Sequence, residues 1–235
     1  MSDSASPHAF TVPGMTAVPP DSPDSRRRRA PEERPQQILD AAFHEFGERG
    51  LAGARLDDIA RRANVAKGTI YLYFPTKEAL FQEMVRTSII AALEMAEQRV
   101  AHNDQESAPR QVEQFFMHWW TFLRSERFQV VQRLVMAELP NFPDLLQFYA
   151  DEVIARGRRL IASLIARGTK RGEFREIDPD VAARMLQSLA MTHTIWCSRR
   201  QFSAALGAHS DEQVRDQLVD FYLHALRPMP APSHS

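Results

Sequence analysis

The 235-residue chain is expected to be all-α, with an N-terminal three-helix module followed by a larger helical domain. Three features predict this. Apolar residues recur at spacings of three and four in one segment after another, which places them on single faces of helices. Only 9 glycines are present, too few for the turns of an all-β fold. Hydrophobic residues make up 44% and charged residues 25%, the balance of a globular chain with a sizeable core.

Taken in order, residues 1–30 carry Pro7, Pro13, Pro19, Pro20 and Pro23 among Ser, Asp and Ala. Such a composition buries too little apolar area to offset the entropy of ordering it, so a flexible tail is expected, ending in the basic run Arg26-Arg27-Arg28-Arg29. From Pro31, the spacing of Leu39, Ala42, Phe43 and Phe46 predicts a helix, ended by Gly47 and Gly50. Leu56, Ile59, Ala60 and Ala63 repeat the spacing over barely two turns and stop near Asn64; so short a helix must be braced by neighbours. A third short segment, Lys67 to Phe74, ends at Pro75. Two short helices with a tight connection make a helix-turn-helix, and residues 31–80 form its module.

Thr76 is the expected N-cap of a long helix carrying Leu80, Phe81, Met84, Val85, Ile89 and Leu93 to about residue 102. Within a second domain, 81–227, Ser107 is expected to cap a helix over 108–124, Ser125 one over 126–139, and Asn141 one over 142–170. Asp178-Pro179 opens a helix over 179–205, and Ser210 with Gln213 forms a capping box for the last, 210–226. About nine helices result, with a flexible tail at 228–235.

A formal charge of -1 excludes a polycation of the histone type, so a nucleic-acid partner must be held locally. Residues 30–80 hold 7 basic against 8 acidic side chains, and the four arginines bring residues 26–80 to 11 against 8. For these charges to serve DNA, Glu45, Glu48, Asp57 and Asp58 must lie away from the duplex. Cys197 is the single cysteine, which excludes an intramolecular disulfide and a cysteine-rich zinc cluster and points to a reducing compartment, the cytoplasm. No metal and no cofactor are expected. No apolar run approaches a membrane span, and no signal-peptide core is visible. No enzyme is expected either. None of the 8 histidines has a Glu three residues before it, and no phosphate-binding glycine loop, HExxH site or Gly-x-Ser-x-Gly elbow occurs.

The chemistry sits in the third helix, whose first turn is sized to enter a major groove about 12 Å wide. Lys67 would supply charge or a donor to guanine, Gly68 would let the helix approach closely, and Thr69 would reach phosphate or a thymine methyl. Ile70 and Phe74 point inward, so at least one of Tyr71 and Tyr73 points outward, towards a phosphate. Lys77 is placed to do likewise from the next helix, and the arm Arg26 to Arg29 to reach phosphates or a minor groove.

The run Ile59-Ala60-Arg61-Arg62-Ala63-Asn64-Val65-Ala66-Lys67-Gly68-Thr69-Ile70-Tyr71-Leu72-Tyr73-Phe74-Pro75-Thr76-Lys77-Glu78-Ala79-Leu80 resembles the N-terminal signature of the tetracycline-repressor (TetR/AcrR) family. The resemblance is tight over 34–81; beyond, only helical layout and length agree. It implies a homodimeric regulator of double-stranded operator DNA, commonly a repressor released by a small molecule. Arg55 departs from it, standing where the family usually carries Ser or Thr as an N-cap; a cap worth about 1 kcal/mol is exchanged for a stronger phosphate-binding group. Ala66 likewise replaces a common Ser.

In the second domain, Phe115 to Phe122 is apolar nearly all round and must be buried on more than one side. Phe116, Trp119 and Trp120, with Phe148, Tyr149, His193 and Trp196 further on, are either ordinary core or the walls of a small-ligand cavity of about 300–1,000 Å³. By resemblance, helices 179–205 and 210–226 would form the dimer interface, through Val181, Met185, Leu189 and Trp196 or through Val214, Leu218, Phe221 and Leu226. A preformed cavity would favour an effector-controlled regulator; a solid core would favour a DNA-binding architectural protein.

Overall fold

A computed structural model describes residues 23–197, 204, 205, 207 and 209–228, with side chains from Glu33 onward. Residues 1–22 of the tail expected over 1–30, most of the tail expected at 228–235, and positions 198–203 of the helix expected over 179–205 lie outside the described residues.

Helix α1 spans Pro23–Gly53, so residues 23–30 extend the first helix instead of belonging to a tail. Proline suits a first helical position, because its missing N–H is one the helix leaves unbonded, and the arginines that follow are good helix formers. Gly50 breaks the helical path with a positive φ of 73°, which turns Leu51 into the core. Helices α2 (Leu56–Arg62) and α3 (Lys67–Tyr73) follow, separated by Asn64 at φ 53°. The three close around Ile38, Ala42, Phe46, Ile59 and Ile70, all fully buried, and Phe46 meets Phe81 edge to face at 6.4 Å. The expected inward face of Leu39, Ala42, Phe43 and Phe46 is buried throughout.

Helix α4 (Lys77–Val85) passes through a π-helical turn, Arg86–Ile90, into α5 (Ala91–His102). Then come α6 (Ala108–Leu123), α7 (Glu126–Ala137), α8 (Pro143–Tyr149) and, through a second π turn at Ala150–Ala155, α9 (Arg156–Lys170). Helices α10 (Pro179–Cys197) and α11 (Asp211–Leu226) complete the domain. Joined through the two π turns, these segments make nine continuous rods among the described residues, with no strand.

The caps were largely predictable. Thr76 Oγ1 accepts from the Ala79 N–H at 3.0 Å, Ser125 Oγ from Phe128 at 3.3 Å, and Ser210 and Gln213 form the reciprocal capping box. Two expected caps are not made. The Ser107 side chain makes no cap bond; the Glu173 carboxylate from beyond α9 takes the Ala108 N–H instead. Asn141 lies in a short 3₁₀ turn, Leu139–Asn141, because Pro140 and Pro143 delay the helix to Pro143.

The module is bolted to the larger domain at two places. Where α1 ends, the Glu138 carboxylate accepts from the Ala52 N–H at 2.7 Å, and Arg127 pairs with Asp40 at 2.6 Å while lying over the Phe43 ring. Within the larger domain, the Arg86 guanidinium of the π turn stacks 5.1 Å from the Phe148 ring centroid. Among the described residues no helix is long and apolar enough to cross a membrane.

Candidate nucleic-acid interface and internal cavity

The outer face of the module presents α3. A Cβ built at Gly68 meets nothing within 4 Å, so this end of the helix is open to close approach. Lys67, Tyr71 and Leu72 are exposed, Thr69 and Tyr73 half-buried, and Ile70 and Phe74 buried. Tyr71 is therefore the outward tyrosine, and Tyr73 packs against the core. Leu72, 80% exposed, was not singled out from the sequence. Its place one turn after Gly68 puts it on the same open face, where an apolar side chain suits a thymine methyl. Arg55 stands exposed at the N-cap of α2 without a side-chain cap bond, as its departure from Ser or Thr requires.

The acidic residues divide unevenly. Glu45, Glu48 and Asp58 are held by Arg49, Arg61 and Arg62 in a lattice between α1 and α2. Arg62 Nη2 lies 2.6 Å from Glu48, and Arg49 Nη1 lies 3.1 Å from Asp58. Asp57 does not lie away from the recognition helix, contrary to expectation: its carboxylate accepts from Lys67 Nζ at 2.8 Å and from the Tyr71 hydroxyl at 3.3 Å. The reason is register. Asp57 sits in the first turn of α2, which the tight turn brings beside the first turn of α3. The Lys67 hydrogen bond holds the Asp57 carboxyl below its ordinary range against the opposing effect of desolvation, and the same bond pushes the Lys67 ammonium up.

Lys77 is also engaged. Its Nζ donates to the Ala52 carbonyl at 3.0 Å and lies 6.0 Å from the Phe142 ring centroid, so it ties α4 to the end of α1. The backbone of Arg26 to Arg29 lies in the first turns of α1, and their side chains are outside the described ones.

The larger domain holds a cavity of about 890 Å³, open to solvent on one side, walled by α5, α6, α7, the second π turn, α9 and α10. Of the seven aromatic and histidine candidates, Trp119 and Tyr149 line it. Phe116, Trp120, Phe148, His193 and Trp196 do not. Phe116 and Trp120 point into the core on the other side of α6, 1% and 4% exposed. Phe148 faces Arg86, His193 stacks on Trp120 at 5.1 Å, and Trp196 lies exposed on the outside of α10. The walls missed from sequence include Met95, Met117, Phe122 and Met191, with polar Arg99 and Gln114. On a stretch apolar nearly all round, such as 115–122 of α6, spacing alone does not separate cavity wall from core. Burial pushes the Tyr149 phenol up, so it stays neutral. Burial first, then the Asp211 carboxylate, pushes the Cys197 thiol up as well, the opposite of a reactive thiolate.

An open recognition helix on a close-packed module, joined by one continuous rod to a second helical domain with a cavity, is the arrangement of a DNA-binding regulator. Residues 38–84 match the tetR family of bacterial regulatory proteins, and residues 110–228 match the C-terminal domain of AefR-like transcriptional repressors. The chain belongs to the TetR family and is a transcriptional regulator. It is 25% identical over 219 residues to the HTH-type transcriptional repressor KstR2 of Mycolicibacterium smegmatis, covering 92% of this chain and 99% of that one. A structure from Saccharomonospora viridis, described as a transcriptional regulator in complex with choline, superposes with a TM-score of 0.69 at 23% identity, over 84% of this chain and all of the other. NalD of Pseudomonas aeruginosa, the secondary repressor of the MexAB-OprM multidrug efflux pump, gives a TM-score of 0.68 at 21% identity, over 83% and 98%. At these identities the two structures support the fold.

Proposed function

We propose that the chain is a cytoplasmic, homodimeric repressor that leaves a palindromic operator when a small, largely apolar effector fills the cavity. The observation that carries this reading is the rod α4–α5. One end packs on the recognition module, and from Ile89 to Asn103 the other forms a wall of the cavity. No residue of α5 is fully buried, so this wall is held on one side only and yields to an occupant. The π turn between the two halves is a natural hinge. Glu97 and Arg156, joined by two hydrogen bonds of 2.8 and 2.7 Å, fix the far half to α9. An effector that prefers a displaced rod moves the two recognition helices of a dimer off consecutive half-sites. By reciprocity it then loses affinity for the DNA-bound state by the same factor.

Dimerisation is supported by Val181, Met185, Leu189 and Trp196, which form one exposed stripe on α10, joined by Phe221 on α11, 67% exposed. The second stripe expected from the sequence is divided, since Leu226 is buried within the chain. Arg184 and Ser188 line both the cavity and a shallow groove along the α10 stripe, so occupant and dimer face share side chains. The cavity supports effector control over an architectural role, for which a solid core would serve. Lys67, Gly68, Thr69, Tyr71 and Arg55 are the proposed DNA contacts, with Leu72 added. Lys77 stays on the inter-domain contact, and the basic run at 26–29 extends along the start of α1.

Selection from a random duplex pool tests the DNA half of the reading, with a palindromic consensus expected. Ala96→Trp, which puts bulk into the cavity wall, should preserve operator affinity and abolish release by any effector that acts on the unmodified protein. Loss of both activities, or of neither, would contradict the reading.

A further inference from the structure

We propose that His193, Cys197 and Asp211 form a three-ligand site for a divalent transition-metal cation of the zinc type, separate from the recognition surface and the cavity. His193 and Cys197 are one turn apart on α10 and share a face. Asp211 opens α11, placed by the capping box of Ser210. Together they bring a thiol, an imidazole and a carboxylate from two helices to one point. None of the three lines the cavity.

The three ligand atoms lie close enough together for one ion to reach all of them, although Cys197 Sγ also lies 3.8 Å from His193 Nδ1 and must turn towards the Nε2 side. Cys197 Sγ lies 3.3 Å and Asp211 Oδ1 3.7 Å from His193 Nε2, and the three atoms lie within 4.8 Å of one another. Bonds of about 2.3 Å to sulfur and about 2.0–2.2 Å to nitrogen and oxygen put tetrahedral ligands about 3.3–3.6 Å apart. The imidazole is thus already at ligand spacing from both partners, and rotation of the carboxylate and thiol closes the third edge. The mixture of thiolate, imidazole and carboxylate selects zinc-like ions over magnesium or calcium, which prefer oxygen alone.

The surroundings orient these ligands. Arg124 takes Asp211 Oδ2, which leaves Oδ1 facing the imidazole. The Trp120 ring lies against His193 at 5.1 Å with 23° between the planes and fixes the attitude of the ring. The Arg124 pair with the ligating carboxylate is an outer contact of the kind metal sites use. The three residues are half-buried, reachable by an ion from solvent, and three protein ligands leave the fourth position to water. A bound cation would fasten the end of α10 to the start of α11 and, through Trp120 and Arg124, to α6, whose Trp119 lines the cavity.

Cobalt(II) titrated into the full-length protein is the test, because only a thiolate ligand gives sulfur-to-cobalt charge-transfer absorption. Cys197 is the one cysteine in the sequence, so the band can have one source. The expected result is a band that saturates at one cobalt per chain, is abolished by zinc, and is absent in Cys197→Ser. His193→Ala and Asp211→Asn should each weaken cobalt binding by more than about tenfold while leaving the far-UV circular dichroism of the metal-free protein unchanged. No charge-transfer band in the unmodified chain overturns the proposal without recourse to any variant. A band of unchanged affinity in both His193→Ala and Asp211→Asn overturns it as a three-ligand site.

Discussion

The module around Phe46, Ile59, Ile70 and Phe81 is close-packed, whereas the domain behind it surrounds a cavity of about 890 Å³. In the module the short helix α2 is packed against both α1 and α3, so there is little slack, and the ion pairs Arg62–Glu48 and Arg49–Asp58 stitch α1 to α2. In the domain, long helices stand on their own hydrogen bonds and leave space between them. The contrast teaches that rigidity is concentrated where DNA geometry must be kept, and compliance where an occupant must be admitted.

Truncation of a large aromatic in each region gives the widest separation. Phe46→Ala should cost about 3–5 kcal/mol, because the cavity it leaves in a close-packed core does not collapse, and operator binding should fail with it. Trp119→Ala, on a wall that already faces open space, should cost only about 1 kcal/mol and alter effector response instead. Urea denaturation of the two variants measures this; equal losses would break the comparison.

A smaller effect is expected at the recognition helix. Asp57→Asn frees the Lys67 ammonium and the Tyr71 hydroxyl from an acidic partner, so binding to DNA in general should tighten several-fold and discrimination between sequences should fall. Fluorescence anisotropy with operator and unrelated duplexes reads both. The Asp57–Lys67 pair itself persists across a wide range. It is lost as pH falls through the depressed carboxyl value, below its ordinary 3.8, or rises through the elevated ammonium value, above its ordinary 10.5. Neutral and mildly acid buffers should leave the result unchanged.

The smallest change belongs to the hinge region of the domain. Arg156 holds the Glu97 carboxyl below its ordinary 4.5. A carboxyl depressed on folding contributes stability that is present above its unfolded value and lost as pH falls through the folded one. Glu97→Gln should therefore flatten the acid limb of the stability curve by about 0.5 kcal/mol, little because the pair is partly solvated. Denaturation series near pH 7 and below pH 4.5 compare the two chains.

The same contrast governs what could be read from the sequence. Leu39, Ala42, Phe43 and Phe46 announce a buried face by spacing alone, and Thr76, Ser125 and Ser210 announce helix starts by local chemistry. Each of those signals is complete within a few residues. The cavity is not. Trp119 lines it while Trp120 faces the core, a difference fixed by which way α6 is rolled against α9, α10 and α11. Arg99, Gln114 and Met191 join the wall from different helices, and nothing near them in sequence says so. Asp57 shows the same limit inside the module, where its charge was legible but its partner, across the turn on the next helix, was not. His193 and Cys197 stand one turn apart on α10, but Asp211 joins them only through the fold.

The widened turn at Arg86–Ile90 has a consequence for how such a regulator changes over generations. A π turn carries one residue more than the α-helical path needs, and each residue of an α-helix advances the chain by about 100°. Loss of a single codon at Thr87 or Ser88 would restore an unbroken spiral while leaving every recognition and wall residue in place. The surplus residue is what the widened turn absorbs, so the rod can gain or lose it while the reading head keeps its place on the shaft.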